Sequence, residues 1–451
     1  MRSALGGGAT ARVEAAVPIR TSLAPTALVT SAVLLVGLAV LFSQGFAEGR
    51  LAEIGAAAIV VSATAAVAAF FGGLPRPRLT RAAAAFIALL AAFVYWNGLS
   101  VTWSIQPERS WSYLNRGLVY LAFALVGVFV ACALARPLRT VCYILASVFG
   151  VLLAWSLAEK AFPPAESGLL IGFTDEVRLE GPIGFATALG LGAAMALPLA
   201  LWIAATGSHR HAVRAGGVTL FYLAAVATVL TYSRGSILAA LLVVGLWFAI
   251  GGPRLESLAA LALALPGVAI ALATAFALPG VTEEGETRAT RTRDGALFVG
   301  ALVAVAAAVW LAAFVVSRAQ VRRPLSAASR RRAHLAVALT LGAVALTAAV
   351  SLATRADDPA AWARAQVQAF TNASAVTSGP ERIGEASSNF RWGWWQQAWE
   401  SFRAKPLHGT GAGSFELAQR TIAAREDLPR VTEPHNVPLQ FLGETGLVGF
   451  G

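Results

Sequence analysis

The run GALFVGALVAVAAAVWLAAFVVS, residues 295–317, contains no charged side chain. As a helix it is long enough to cross a hydrocarbon core of roughly 30 Å, which takes about twenty residues. Ten further complete runs flank it, at approximately 24–44, 51–71, 80–99, 117–135, 138–158, 183–205, 215–232, 235–251, 255–279 and 335–353. Another begins near Val437 and reaches Gly451 after only fifteen residues. That is short for a span, so the chain is expected to end inside a helix and to continue in the intact protein. The fold class expected is an all-α polytopic membrane protein with about twelve transmembrane helices, the last truncated.

Composition supports that class. Of 451 residues, 57% are hydrophobic and only 13% charged, with mean hydropathy +0.67; soluble domains carry about one quarter charged residues. The net charge of +11 is not a nucleic-acid footprint, because much of it lies in short loops between apolar runs, where it orients the chain. Cys132 and Cys142 lie in or beside apolar segments and read as small buried hydrophobes, not as a disulfide framework or zinc site.

The basic residues set an orientation. With the N-terminus in the cytoplasm, the inner connections hold Arg76, Arg78, Arg81, Arg136, Arg139, Arg210, Arg214, Arg254 and a cluster from Arg318 to Arg332. The short outer loops carry fewer, as the positive-inside rule requires. The expected organisation is a cytoplasmic tail at 1–23, a membrane domain of eleven spans at 24–353, an extracytoplasmic loop at 354–434, and the start of a twelfth span at 435–451. The same parity places Arg178, Arg234 and His435 together on the outer side.

Three stretches carry chemistry on that side. Thr231-Tyr-Ser-Arg-Gly235 is a tight break between two apolar runs. Helix N-termini bind anions, so Arg234 there suits a phosphate clamp; a snorkelling arginine that anchors a helix end is the competing reading. Arg178 lies in Arg178-Leu-Glu-Gly-Pro182, at the entrance to the sixth span, where pairing with Glu180 or Asp175 is the alternative. In the large loop, Asn389 to Phe402 reads as a helix with Trp392, Trp395, Trp399 and Phe402 on one face. That face suits either the membrane interface or stacking on sugar rings. The glycine-rich turn Lys405–Phe415 follows, without the ending of a nucleotide P-loop.

The tail reads Glu433-Pro-His-Asn-Val-Pro, then Leu439 to Gly451, with a polar loop turning into an apolar helix at His435-Asn436. Histidine titrates nearest neutrality and suits proton transfer. On a continuous helix Gly446 would lie within roughly 20° of His435 and Gly449 about 40° to the other side, leaving a smooth strip for a neighbouring helix or a polyprenyl chain. Pro438 fits the first helical turn.

His-Asn, nine residues, then Gly-x-x-Gly resembles the O-antigen ligase family, which includes O-antigen polymerases and bacterial protein O-oligosaccharyltransferases. Ser233-Arg234-Gly235 and Arg391-Trp392 ahead of the glycine turn are similar to further family features. Arg178-Leu179 and Gly181 also match, whereas the asparagine common after them is absent. The resemblance implies a fold related to the GT-C membrane glycosyltransferases and a glycan donor on undecaprenyl diphosphate. Arg178, Arg234 and Arg391 would hold the diphosphate, and His435 would act as general base, oriented by Asn436 and Glu433. It implies inverting transfer to an acceptor glycan, lipid or protein, with no cofactor and no metal, on the outer face of the cytoplasmic membrane. Glu283-Glu284 and Asp357-Asp358 then read as solvated loop charges. A lipid-linked glycan flippase is the reading from another class; transporters place ionisable groups near mid-membrane, whereas here the spans are almost free of charge.

Overall fold

A computed structural model describes residues 23–42, 48–161, 177–207, 209–250, 253–322, 359–372, 379–384, 386–425 and 428–451. The described residues form an all-helical bundle. Its membrane part comprises α1 (Leu23–Phe42), α2 (Glu48–Phe70), α3 (Arg81–Ser100), α4 (Pro107–Ala133), α5 (Pro137–Ala158), α6 (Ala186–Ala205), α7 (His211–Leu230), α8 (Arg234–Ile250), α9 (Arg254–Phe276), the single turn α10 (Pro279–Thr282) and α11 (Arg288–Arg322). Four shorter helices follow: α12 (Pro359–Thr371), α13 (Arg391–Ala404), α14 (Phe415–Thr421) and α15 (Val437–Phe450). Among the described residues nine helices are long and apolar enough to cross a membrane; α8, with 17 residues, is shorter. The protein is an integral membrane protein. The expected span at 335–353, the basic residues Arg323 to Arg332, and Asp357-Asp358 lie outside the described residues.

Two helices extend beyond the expected runs. α4 starts at Pro107 and not near residue 117, and α11 runs for 35 residues. Proline in the first turn of α4, with Glu108 beside the free amides, lets the polar stretch Pro107–Arg116 continue the helix. Apolar periodicity detects only the lipid-length portion and misses such polar extensions.

α6 and α7 form the centre. α6 is buried around most of its circumference, from Leu189 and Ala193 to Ala200, Leu201 and Ala204, as expected of a helix apolar on every side. Gly217 of α7 brings the two backbones together: a Cβ there would stand 2.6 Å from the Ala204 nitrogen. Large apolar side chains such as Phe86, Leu89, Leu238, Leu241 and Leu242 face outward from the bundle, suited to lipid.

The connections sort to the two ends as the parity of the spans requires. At one end Leu179 N donates to the Leu230 carbonyl at 3.0 Å, Lys160 Nζ donates to the Val177 carbonyl at 2.6 Å, and Ile105 N donates to the Thr410 carbonyl at 3.0 Å. At the other, Arg214 Nε donates to the Ala204 carbonyl at 2.9 Å, and Ser317 Oγ lies 3.2 Å from His211 Nδ1.

Candidate active site

Three arginines arrive at the first of these ends from separate segments. Arg178 Nε donates to the Thr231 carbonyl at 3.1 Å, pinning it to the turn that closes α7. Arg234 opens α8, and its Nη2 donates to the Ser387 carbonyl. Ser387 lies just ahead of Arg391, the first residue of α13. The convergence leaves an electrostatic mark. Burial pushes the Arg391 guanidinium below its ordinary range, and the positive charges of Arg234 and Arg178 push it further the same way. A cation held among cations and partly shielded from water is one that a nearby negative charge would stabilise.

His435 adjoins this cluster. Its ring centroid lies 5.4 Å from that of Trp394, tilted by 54°. Burial lowers the imidazole from the ordinary histidine value, Arg391 lowers it further, and the Glu433 carboxylate opposes both. The ring is therefore biased to its neutral form, the form that can accept a proton. Trp395 Nε1 donates to the Pro434 carbonyl at 3.1 Å and fixes the turn that presents the ring.

Backbone strain marks the same place. Among the described residues, the non-glycine residues with positive φ are Tyr232 (47°), Asn389 (51°), Phe390 (64°) and His435 (53°). Each is His435 itself or stands within two residues of Arg234 or Arg391. Left-handed conformations cost on the order of 1–3 kcal/mol and persist where the surroundings over-determine them. Here Tyr232 and Asn389 are buried, and Ser387 Oγ donates to Asn389 Oδ1 at 2.8 Å.

The neighbours of His435 play distinct parts. Asn436 is the N-cap of α15, and its Oδ1 accepts the Leu439 amide at 3.1 Å. Its side chain thus fixes the helix start immediately after the histidine. Glu433 Oε1 accepts the Tyr113 hydroxyl at 2.8 Å and lies 3.7 Å from Arg116 Nη1.

The two motif glycines serve a different geometry from the one expected. The sequence reading placed both on one continuous helix below His435. Gly446 instead leaves helical conformation, with φ 65° and ψ −168°, and kinks α15. A Cβ there would overlap the Leu407 carbonyl, so its close neighbour is the glycine-rich turn. Gly449 lies beyond the kink, where a Cβ would stand 2.8 Å from Trp96 Cδ1 of α3. The turn is strapped to α15 along its length: Gly411 N donates to the Glu444 carbonyl at 2.8 Å and Leu447 N to the Pro406 carbonyl at 2.9 Å.

Two residues that sequence reasoning passed over stand out. Glu444 is 1% exposed, and its carboxylate accepts the Gly413 amide at 2.8 Å and the Phe415 amide at 3.2 Å. A lone carboxylate in an apolar stretch was the available signal. Tyr113, in the polar first turns of α4, reaches Glu433 across 320 residues of sequence, and nothing local announced it. On α13 the buried face is Gly393, Trp394, Gln397, Ala398 and Ser401, whereas Trp392 (36%) and Trp399 (46%), from the expected aromatic face, are exposed.

Residues 288–451 match the family model described as O-antigen ligase. The matched region includes Arg391, Glu433, His435, Asn436, Gly446 and Gly449, and the resemblance first drawn from the tail motif is thereby supported. The match supports an enzyme of glycan transfer acting in a membrane. No curated protein and no solved structure matches the chain.

Proposed function

We propose that this chain, a membrane protein of the O-antigen ligase family, transfers a glycan from undecaprenyl diphosphate to an acceptor hydroxyl at the outer face of the cytoplasmic membrane. The observation that carries this reading is geometric: Arg178 is pinned to the turn just before Arg234, Arg234 bonds the Ser387 carbonyl just ahead of Arg391, and Trp394 on the helix that Arg391 opens packs against His435.

In this reading the diphosphate binds the arginines, with the lipid among the helices. The acceptor oxygen attacks the anomeric carbon on the face opposite the leaving group. The new carbon–oxygen bond forms as the bond to the diphosphate breaks, with inversion. His435 takes the acceptor proton. Undecaprenyl diphosphate departs carrying the bonding electron pair, and the arginines stabilise the charge that grows on it. Activation resides in the lipid diphosphate, so no nucleotide enters. Glu433 supplies a negative charge near the imidazolium as it forms, and Asn436 fixes the helix start behind it. The acceptor is a glycan, a lipid or a protein; ligase, polymerase and protein-glycosylating members share these requirements.

Collection of Arg178, Arg234, Arg391 and His435 at one end of the bundle, in place of ionisable groups at mid-membrane, favours surface chemistry over carriage through the membrane. The test is to incubate purified protein with a polyprenyl-diphosphate glycan and carbohydrate, lipid and peptide acceptors, and to identify products by mass spectrometry. The expected result is glycan joined to an acceptor with release of polyprenyl diphosphate. Absence of transfer to every acceptor, with donor flipped across a vesicle membrane, would replace the reading with transport.

A further inference from the structure

The polar turns at the start of α4 lie outside the region that matches the family, yet they meet the site directly. Tyr113 Oη donates to Glu433 Oε1 at 2.8 Å and accepts from Gln440 Nε2 at 3.0 Å. Gln440 also approaches both oxygens of Glu444 at 3.4 Å. The Arg116 guanidinium lies 4.9 Å from the centre of the Tyr113 ring and faces Glu433 from the same helix. Against the other side of the ring stands Gly413, at φ 71°, where a Cβ would clash with Tyr113 Cδ2. The tyrosine is thus fixed by α4, α15 and the glycine-rich turn at once, and the hydrogen its hydroxyl donates goes to the carboxylate two residues before His435.

We propose that Tyr113 is a positioning residue for transfer: its hydroxyl, backed by Arg116, holds the Glu433 carboxylate where its charge acts on His435 as the imidazole takes up a proton. This inference rests on the reading of His435 as the base. The charged groups that act on His435 are Arg391, from α13, and Glu433; those around Tyr113 are Glu433, Arg116 and Glu444. Glu433 belongs to both sets and accepts the Tyr113 hydroxyl at 2.8 Å, so it links the tyrosine to the histidine. A carboxylate held beside an imidazole supports the imidazolium without itself taking the proton, as in hydrolase triads.

The test uses the full chain and Tyr113→Phe, which keeps the ring against Gly413 and beneath Arg116 and removes only the hydroxyl. Diethyl pyrocarbonate modifies neutral imidazole, so its rate at His435 across pH, read by mass spectrometry on the peptide carrying that residue, titrates the histidine independently of turnover. The expected result is a titration displaced to lower pH in Tyr113→Phe, in the same direction as in Glu433→Gln, with no further displacement when the two are combined. Transfer should fall roughly tenfold in kcat, the scale of one hydrogen bond to a charged group, with KM for donor little changed. A wild-type titration in Tyr113→Phe or in Glu433→Gln, or an equal added displacement in the combined variant, would overturn the proposal. Failure of the base reading has another signature: transfer surviving in His435→Ala, whatever the titration shows.

Discussion

The ring of Trp394 lies 5.4 Å from the ring of His435, and Trp394 sits one helical turn after Arg391 on α13. A single short helix therefore carries both a cation of the arginine cluster and the aromatic wall of the histidine. The strained pair Asn389-Phe390 sets where that helix begins. Trp394 also donates its Nε1 to the Pro429 carbonyl at 3.0 Å. Trp394→Leu keeps an apolar side chain but loses volume, the flat wall and that bond. Activity should drop by about tenfold or more, the scale of a small misplacement at a reacting group, while membrane insertion is unchanged. Comparison of transfer rates at equal protein level checks this.

The pH dependence follows from the surroundings of His435. A base must be neutral to accept a proton, and burial and Arg391 both depress the protonated form. The acidic limb of kcat/KM should therefore fall below the ordinary histidine value near 6.5. Arg391→Gln removes one downward push, so the limb should move to higher pH. Glu433→Gln removes the upward push, and the limb should move to lower pH. Displacement of both variants in one direction would separate the limb from His435.

For the arginine clamp, Arg234→Lys preserves charge but loses the planar fork that grips phosphate through two hydrogen bonds. It should lower activity more than a charge count suggests. Arg178→Ala and Arg234→Ala should each weaken binding of a polyprenyl-diphosphate glycan, measured with purified protein. Normal donor binding in both would move the diphosphate elsewhere.

Metal dependence gives an independent check. Growing charge on a diphosphate is neutralised either by a divalent cation or by fixed cationic side chains. With three arginines meeting at one place, transfer should persist in excess EDTA and gain little from magnesium or manganese. Complete loss on chelation, restored by one metal, would contradict the arginine clamp.

The glycine-rich turn makes a prediction about folding. Gly409 has φ 69°, and a Cβ there would overlap the Glu444 carbonyl. Gly409→Ala combines an unfavourable backbone conformation with overpacking, and should destabilise the protein by about 2–4 kcal/mol. Thermal unfolding in detergent measures this; an unchanged midpoint would show that the turn adapts.

Much of this site was legible in the sequence, and the reason differs by residue. Apolar runs encode membrane helices because lipid leaves the backbone few options, so a helix stands at each of the ten expected complete spans that lie within the described residues. Arg234 and His435 stood out as polar residues at the edges of such runs, and span parity brought them to one end. Tyr113 and Glu444 did not stand out, because their roles depend on partners far along the chain and periodicity reports a face without naming what it meets. The kink at Gly446 was hidden because Gly-x-x-Gly fits a straight helix as well as a bent one. Only the turn at Leu407, packed against it, distinguishes the two.

The most direct test of the proposed chemistry is transfer by His435→Ala, measured beside its binding of a polyprenyl-diphosphate glycan. Loss of the proton acceptor should reduce transfer by roughly 100- to 10,000-fold, while donor binding persists because Arg178, Arg234 and Arg391 remain. Transfer near the wild-type rate, with donor bound as usual, would remove His435 from the chemistry and with it the mechanism proposed for this site.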